Sequence, residues 1–178
     1  MMNSKQAARY WIKQQPLMRM ANPVHLSDIM PSVLGLKVGA YYPLHPEVDC
    51  MGLLTHWRLH ANACIYFPEV LNHGFIFHAW RGQSFERISD GSYIPKKLTL
   101  SIQPEELDVC IVPCLAINQN GVRLGRGSGA YDRYIKSVSV PKWGLIMPHQ
   151  YLPFAGESHD LVYDAIWQVS AQDPKRIL

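Results

Sequence analysis

The stretch RLGRGSGAYDRY, Arg123 to Tyr134, sets three glycines and three arginines within twelve residues. Glycine admits positive φ and lets a ligand approach the backbone closely. Successive bare N–H groups form a nest for an anion, and guanidinium forks match phosphate oxygens. Residues of these types at this spacing point to a polyphosphate held on Gly125, Gly127 and Gly129, with Arg123, Arg126 and Arg133 as donors. The phrase is Gly-x-Gly-x-Gly, neither GxxxxGK nor GxGxxG, so spacing alone leaves an ordinary flexible turn as the other reading.

Elements on either side must aim such a loop. DVCIVPCL, Asp108 to Leu115, is a continuous apolar run of strand length, which suits a central parallel strand buried on both faces. Ala130 to Val138 can begin a helix whose start adds a positive end. Ligands gather at the carboxyl ends of strands in parallel α/β sheets. Further strands are predicted at Lys37–Tyr42 (closed by Pro43), Asn62–Phe67, Phe75–Trp80 and Lys142–Met147. A helix is predicted over residues 4–14, ended by Pro16, with Lys5, Arg9 and Lys13 on one face. Pro23 should keep the next stretch open. Another helix is predicted over 50–60, capped by Asp49, with Met51, Leu54 and Trp57 inward. Residues 81–107 read as polar and irregular, punctuated by Pro95 and Pro104. The alternation of strand, loop and helix predicts an α/β layer fold.

The 178 residues suit one domain spanning 1–178, and 48% apolar content is enough for a core. A net charge of +3 with clustered arginines fits a small anionic ligand and excludes a nucleic-acid-binding stripe. No apolar run approaches membrane-spanning length, and MMNSKQAARYWIKQQ is no secretory signal, so a cytoplasmic location is expected. Cys50, Cys64, Cys110 and Cys114 lack CxxC spacing and read as buried thiols of a reducing compartment. His56 and His60 have a spacing zinc can use, but without HExxH they read as part of an amphipathic helix. No Ser/His/Asp triad can be argued.

VPCLAINQNGVRLGRGSGAYDRY, Val112 to Tyr134, resembles the signature of the 5-formyltetrahydrofolate cyclo-ligase (5,10-methenyltetrahydrofolate synthetase) family, V-P-G-L-A-F-D-x-x-G-x-R-L-G-x-G-x-G-Y-Y-D-R. Val112, Pro113, Leu115, Ala116, Gly121, Arg123, Leu124, Gly125, Gly127, Gly129, Tyr131, Asp132 and Arg133 match in register. Lys5 and Arg9 reproduce an N-terminal K-x-x-x-R, YYPLHPEVD carries Glu47, and Gln150 followed by LPFAGESHD resembles a C-terminal Q…LP…E-x-H-D.

The resemblance implies a Rossmann-like three-layer α/β sandwich with a mostly parallel central sheet. It implies ATP and Mg²⁺ as cofactors, a reduced folate as the small-molecule substrate, and a monomer or at most a weak dimer. The family's formyl oxygen attacks the γ-phosphate, N10 closes the ring and phosphate leaves, so positioning and charge stabilisation dominate. Carried over, Lys5, Arg9, Arg123, Leu124, Gly125, Arg126, Gly127, Ser128, Gly129, Ala130 and Tyr131 would hold ATP, with Arg126 and Tyr131 nearest the chemistry. Asp132 and Asp160 would bind Mg²⁺; Tyr42 and Glu47 would contact the folate; Phe77 and Trp80 would line the pterin slot.

Plainer readings stand beside these. Asp132 can cap a helix, Asp160 can pair with His159, Glu47 can be a solvated loop residue, Lys5 with Arg9 can be one solvated face, and Phe75, Phe77 and Trp80 can be core packing. The chain also departs from the pattern. Ser128 stands for Gly or Lys, Ala130 for the first of two tyrosines, Cys114 for glycine, Asn118 for aspartate, and SYIPKK (Ser92–Lys97) lacks the glutamate of G-I-x-E-P. A non-catalytic or retuned nucleotide- or folate-binding relative is therefore the alternative function, and a sugar-phosphate transferase a third.

Overall fold

The computed structural model describes residues 4–15, 23–96, 100–170 and 174–178. In chain order its elements are α1 (Lys5–Lys13), α2 (Pro23–Ile29), β1 (Lys37–Gly39), α3 (Met51–His60), β2 (Cys64–Leu71), β3 (Gly74–Trp80), β4 (Phe85–Arg87) and β5 (Tyr93–Pro95). They continue with β6 (Ser101–Ile102), β7 (Val109–Ile111), β8 (Ala116–Ile117), β9 (Arg123–Leu124), α4 (Ala130–Tyr134), β10 (Lys142–Ile146), β11 (Ala165–Gln168) and β12 (Lys175–Arg176).

Eight strands form one sheet in the order β12-β11-β10-β7-β1-β2-β3-β6. The five from β2 to β11 run parallel, and β3 and β12 join antiparallel at the two sides. The apolar run that the sequence places at the centre is there. Because side chains alternate, Val109 and Ile111 of β7 join Leu53, Leu54 and Trp57 of α3 on one face. Cys110 and Val112 join Ala130, Ile135 and Val138 on the other. Both faces are thus covered, which gives the expected three layers. Outside them, α1 lays Ala8 and Ile12 onto Leu115, Ala116, Val122 and Leu124 of the β8–β9 ribbon.

Several local expectations change. β1 stops at Gly39, three residues short of Tyr42. The helix after the glycine turn covers only Ala130–Tyr134; the following SVSV is poor in helix formers, and Ile135 and Val138 turn into the core instead. Pro23 opens α2 rather than keeping the chain extended, at a first-turn position where a missing N–H costs nothing. Residues 81–107 contain the antiparallel pair β4–β5. Asp49 accepts from Met51 N (3.1 Å); Leu53 joins Leu54 and Trp57 in the core, with Met51 half-buried against it. Pro16 and Lys97 lie outside the described residues. Cys64 is exposed; the other three thiols are buried, and burial raises Cys50 and Cys110 to about 12 and Cys114 to about 11. Those three are inert thiols at neutral pH.

The chain runs from β1 to β2 on one side, then crosses back to place β7 on the other. The strand order therefore reverses between β1 and β7, and the crevice at their carboxyl ends is where such a sheet binds ligands. No helix among the described residues is long and apolar enough to cross a membrane.

Candidate active site

The β8–β9 ribbon returns the chain to that crevice and ends in the turn 125–129. Gly127 and Gly129 hold φ of 114° and 69°, the left-handed region that favours glycine. Gly125 has a different reason: a Cβ there would sit 2.5 Å from the Arg123 guanidinium. Among the described residues no protein group accepts from the N–H of Arg126, Gly127 or Ser128. These bare amides belong to the turn that edges a cavity of about 570 Å³, closed by α1 on one side and by Asp132, Glu157 and Asp160 on another.

Once Ala8 and Ile12 bury one stripe of α1, the neighbouring stripe carrying Lys5 and Arg9 overhangs the cavity. Arg9 Nε donates to Gly125 O (2.9 Å), tying helix to turn. Lys5 Nζ donates to Asp160 (2.6 Å) and Glu157 (2.9 Å). They are not a solvated face. Burial alone would raise the Asp160 carboxyl, but hydrogen bonds from Lys5 and Glu157 N outweigh it and hold Asp160 below the usual carboxylate range. His159 reaches Asp160 only at 3.9 Å and lies nearer Glu157 (3.0 Å). Asp132 is the third residue of α4, not its cap; its carboxylate accepts from Arg123 Nη1 (3.1 Å) and Leu161 N (3.0 Å).

Two arginines depart from the expected phosphate-facing arrangement. Arg123 is buried beneath the turn, donating to Pro113 O (2.7 Å) and Asp132, with its guanidinium 5.1 Å from the Tyr131 ring centre. It shapes the turn from behind. Leu124 is fully buried in β9 and offers no side chain to a ligand. Arg126 reaches across to His45 O (3.1 Å) and lies 3.7 Å from Glu47 Oε1, on the far side of the turn from Lys5.

That far side is a second cavity of about 460 Å³. Tyr41, Tyr42 and Glu47 enter it from the loop after β1, Pro113 from the end of β7, and Tyr131 and Ala130 from α4. Ser128 and Arg133 belong to the walls of both cavities, so the turn is the partition between them. Glu47 is 5% exposed, which removes the solvated-loop reading. Burial raises its carboxyl above the ordinary range, against the lowering effect of Leu44 N and Arg126.

Phe77 and Trp80 are not in this wall. On β3 the residues from Phe75 to Trp80 run away from the carboxyl ends of the parallel strands, because β3 returns antiparallel to β2. Phe77 is wholly buried in the core, and Trp80 lies on the opposite face, packed with Phe67. The ring that reaches the cavity is Phe75, at the start of β3 and 4.9 Å from Tyr131. Tyr93 of β5 was also missed; it stacks on Tyr42 at 4.4 Å and lines the same cavity. Recognising Phe75–Trp80 as the return arm of a hairpin would have selected Phe75. His56 and His60 lie side by side on α3, their ring centres 4.7 Å apart and tilted by 38°. Among the described residues, three metal-competent side chains come together at Glu157, His159 and Asp160 instead.

Two substitutions probe this construction. Gly125→Ala should push the Arg123 guanidinium off Asp132, destabilising the fold by about 2 kcal/mol and removing affinity for the ligand of the first cavity, read by urea unfolding and calorimetry. Unchanged stability would mean that Arg123 has room to move. Glu47→Gln should stabilise the free protein at neutral pH by on the order of 1 kcal/mol while weakening the ligand of the second cavity. The sign follows from the raised carboxyl: ionisation of a buried group disfavours the fold. The stability gap should therefore be absent below the unfolded-state carboxylate range and open as pH rises through it. Equal stability of the two proteins from pH 3 to 8 would remove this assignment.

A mostly parallel sheet with helices on both faces and a glycine turn between two cavities at its switch point defines a Rossmann-like α/β protein. The model of the 5-formyltetrahydrofolate cyclo-ligase family matches residues 35–166. This chain belongs to that family. The 5-formyltetrahydrofolate cyclo-ligase of Mycoplasma genitalium is 36% identical over 67 residues, 36% of this chain and 41% of the relative. The matched stretch thus spans less than half the length of that curated relative. A solved 5,10-methenyltetrahydrofolate synthetase from Aquifex aeolicus aligns over 97% of this chain and 90% of its own, with TM-score 0.74 and 22% identity. One from Mycoplasma pneumoniae aligns over 91% and 96%, with TM-score 0.65 and 23% identity. At these identities the two structures speak for the fold.

Proposed function

We propose that this chain is an ATP- and magnesium-dependent cyclo-ligase that converts 5-formyltetrahydrofolate to 5,10-methenyltetrahydrofolate with release of ADP and phosphate. The observation that carries this reading is the shared wall: a turn with bare amides separates a cavity of cations and carboxylates from one of aromatic rings and a single buried carboxylate. A nucleotide and a flat donor-bearing heterocycle need those two linings, and both cavities have the size of small-molecule sites.

Transfer of a phosphoryl group to the formyl oxygen asks for alignment and charge, not a protein nucleophile. The amides of Arg126, Gly127 and Ser128 would hold the terminal phosphates, with Lys5 and Arg9 closing over them. Asp132 and Asp160 fit a magnesium site, since Leu161 N bonds Asp132 directly beside Asp160 and both acids face the first cavity. Magnesium held by these acids would supply positive charge against the phosphates. In the second cavity Glu47 would accept from the pterin's N–H groups, while Tyr42, Phe75, Tyr93 and Tyr131 supply apolar ring faces. Arg126, on the partition, would offer its charge to the group in transfer. Lys5, bonded to Asp160 and Glu157 at the rim of the first cavity, would reach a phosphate from there. The protein would act as a monomer in the cytosol, where its free thiols stay reduced.

Purified protein should develop the methenyltetrahydrofolate absorbance band from 5-formyltetrahydrofolate only with ATP and Mg²⁺ together. No band after prolonged incubation of folded protein would sink the proposal. Ala130 favours a second reading, because it lines the folate-side cavity where the family carries a tyrosine. Calorimetric binding of both ligands without turnover would support that non-catalytic relative.

A further inference from the structure

Gln150 ends the 3-10 turn Pro148–Gln150 that follows β10, and it is completely buried. Both ends of its amide are used. Nε2 donates to Pro46 O (3.0 Å) and Leu115 O (3.1 Å), and Oε1 accepts from Met147 N (2.7 Å). One side chain thus joins the loop after β1, the chain after β7 and the end of β10. Pro46 lies between His45, whose carbonyl receives Arg126, and Glu47, which faces the second cavity. A buried carbonyl left without a donor is costly, so the loop sits where Gln150 can reach it. The first cavity draws its walls from α1, the glycine turn, Asp132, Arg133 and residues 157–160, none of which bonds Gln150; Leu115, which underlies α1, is held independently through its N–H to Leu124 O (2.8 Å).

We propose that Gln150 is a positioning residue for the folate-side loop: through Pro46 O it sets where Glu47 and the Arg126 acceptor stand, and it leaves the nucleotide cavity alone. The identity of the ligand rests on the cyclo-ligase reading; the positioning itself does not.

Gln150→Leu removes all three bonds. Gln150→Glu keeps the volume and the acceptor for Met147 N but loses both donors to the carbonyls. In each, KM for 5-formyltetrahydrofolate should rise about tenfold, with KM for ATP changed less than about twofold. In the ligand-free protein, amide hydrogen exchange over residues 43–48 should speed up about tenfold while β10 and β11 keep their protection. Equal rises in both KM values, or unchanged exchange in the loop, would overturn the proposal. So would faster exchange throughout the protein, which marks a merely structural residue. If Gln150→Leu fails to fold, the Glu variant decides. A wild type that binds no folate would overturn the cyclo-ligase reading and leave the exchange measurement to judge Gln150.

Discussion

Asp132→Asn should, on the proposed cyclo-ligase function, cut kcat/KM for cyclisation about a thousandfold, the largest loss from any single polar substitution in this site. Two effects combine at this carboxylate. It faces the first cavity beside Asp160, where a magnesium ion bound to nucleotide would need both acids. It also neutralises Arg123, a guanidinium buried beneath the turn with no other carboxylate in contact among the described residues. The asparagine can still accept from Leu161 N, so the backbone there stays tied. It cannot balance the arginine, and the folded state should lose about 2 kcal/mol in urea unfolding. The metal contribution is separable, because the variant should need at least about tenfold more Mg²⁺ for half-maximal rate. A variant that keeps the wild-type magnesium requirement, with activity within tenfold, would show that Asp132 only braces Arg123.

Arg126→Ala should lower kcat about a hundredfold and raise KM for the folate more than KM for ATP. Its position alone suggests a nucleotide ligand. In the fold its guanidinium crosses the partition to His45 O and stands 3.7 Å from Glu47. Removing it takes positive charge from the junction where a phosphoryl group would pass. It also frees the loop that carries Glu47. Nucleotide contacts from Lys5, Arg9 and the turn amides should survive, and with the guanidinium 39% exposed, stability should change by less than about 1 kcal/mol. Steady-state kinetics with each substrate varied in turn is the measurement. A loss confined to KM for ATP would return Arg126 to the nucleotide side.

The departures from the family signature are partly absorbed by the fold. Asn118, where the family has aspartate, uses the extra donor this brings. Its Oδ1 accepts from Asn120 N and Val122 N, and its Nδ2 donates to Phe154 O. Cys114, in place of glycine, fits the core at 2% exposure. Ala130 is different: the methyl leaves room in the second cavity, and substrate shape has to answer that room.

The amino-acid order by itself determined the central strand, the glycine turn, the cationic stripe of α1 and the pairing of this chain with its family. Each is a local matter. An apolar run, a residue free to take positive φ and a four-residue helical spacing are all contained within a few positions. Which side chains face which cavity was settled by tertiary structure alone. Arg123 and Arg126 are three residues apart in one motif, yet β9 buries the first under the turn while the second crosses to His45. Phe75 and not Phe77 reaches the cavity because β3 runs back along β2 and only its first residues lie at the carboxyl edge. Gln150, Pro46 and Leu115 meet because the sheet brings the ends of β1, β7 and β10 side by side. Direction and burial are properties of strands already paired, and pairing joins segments as distant in sequence as Val38 and Val109.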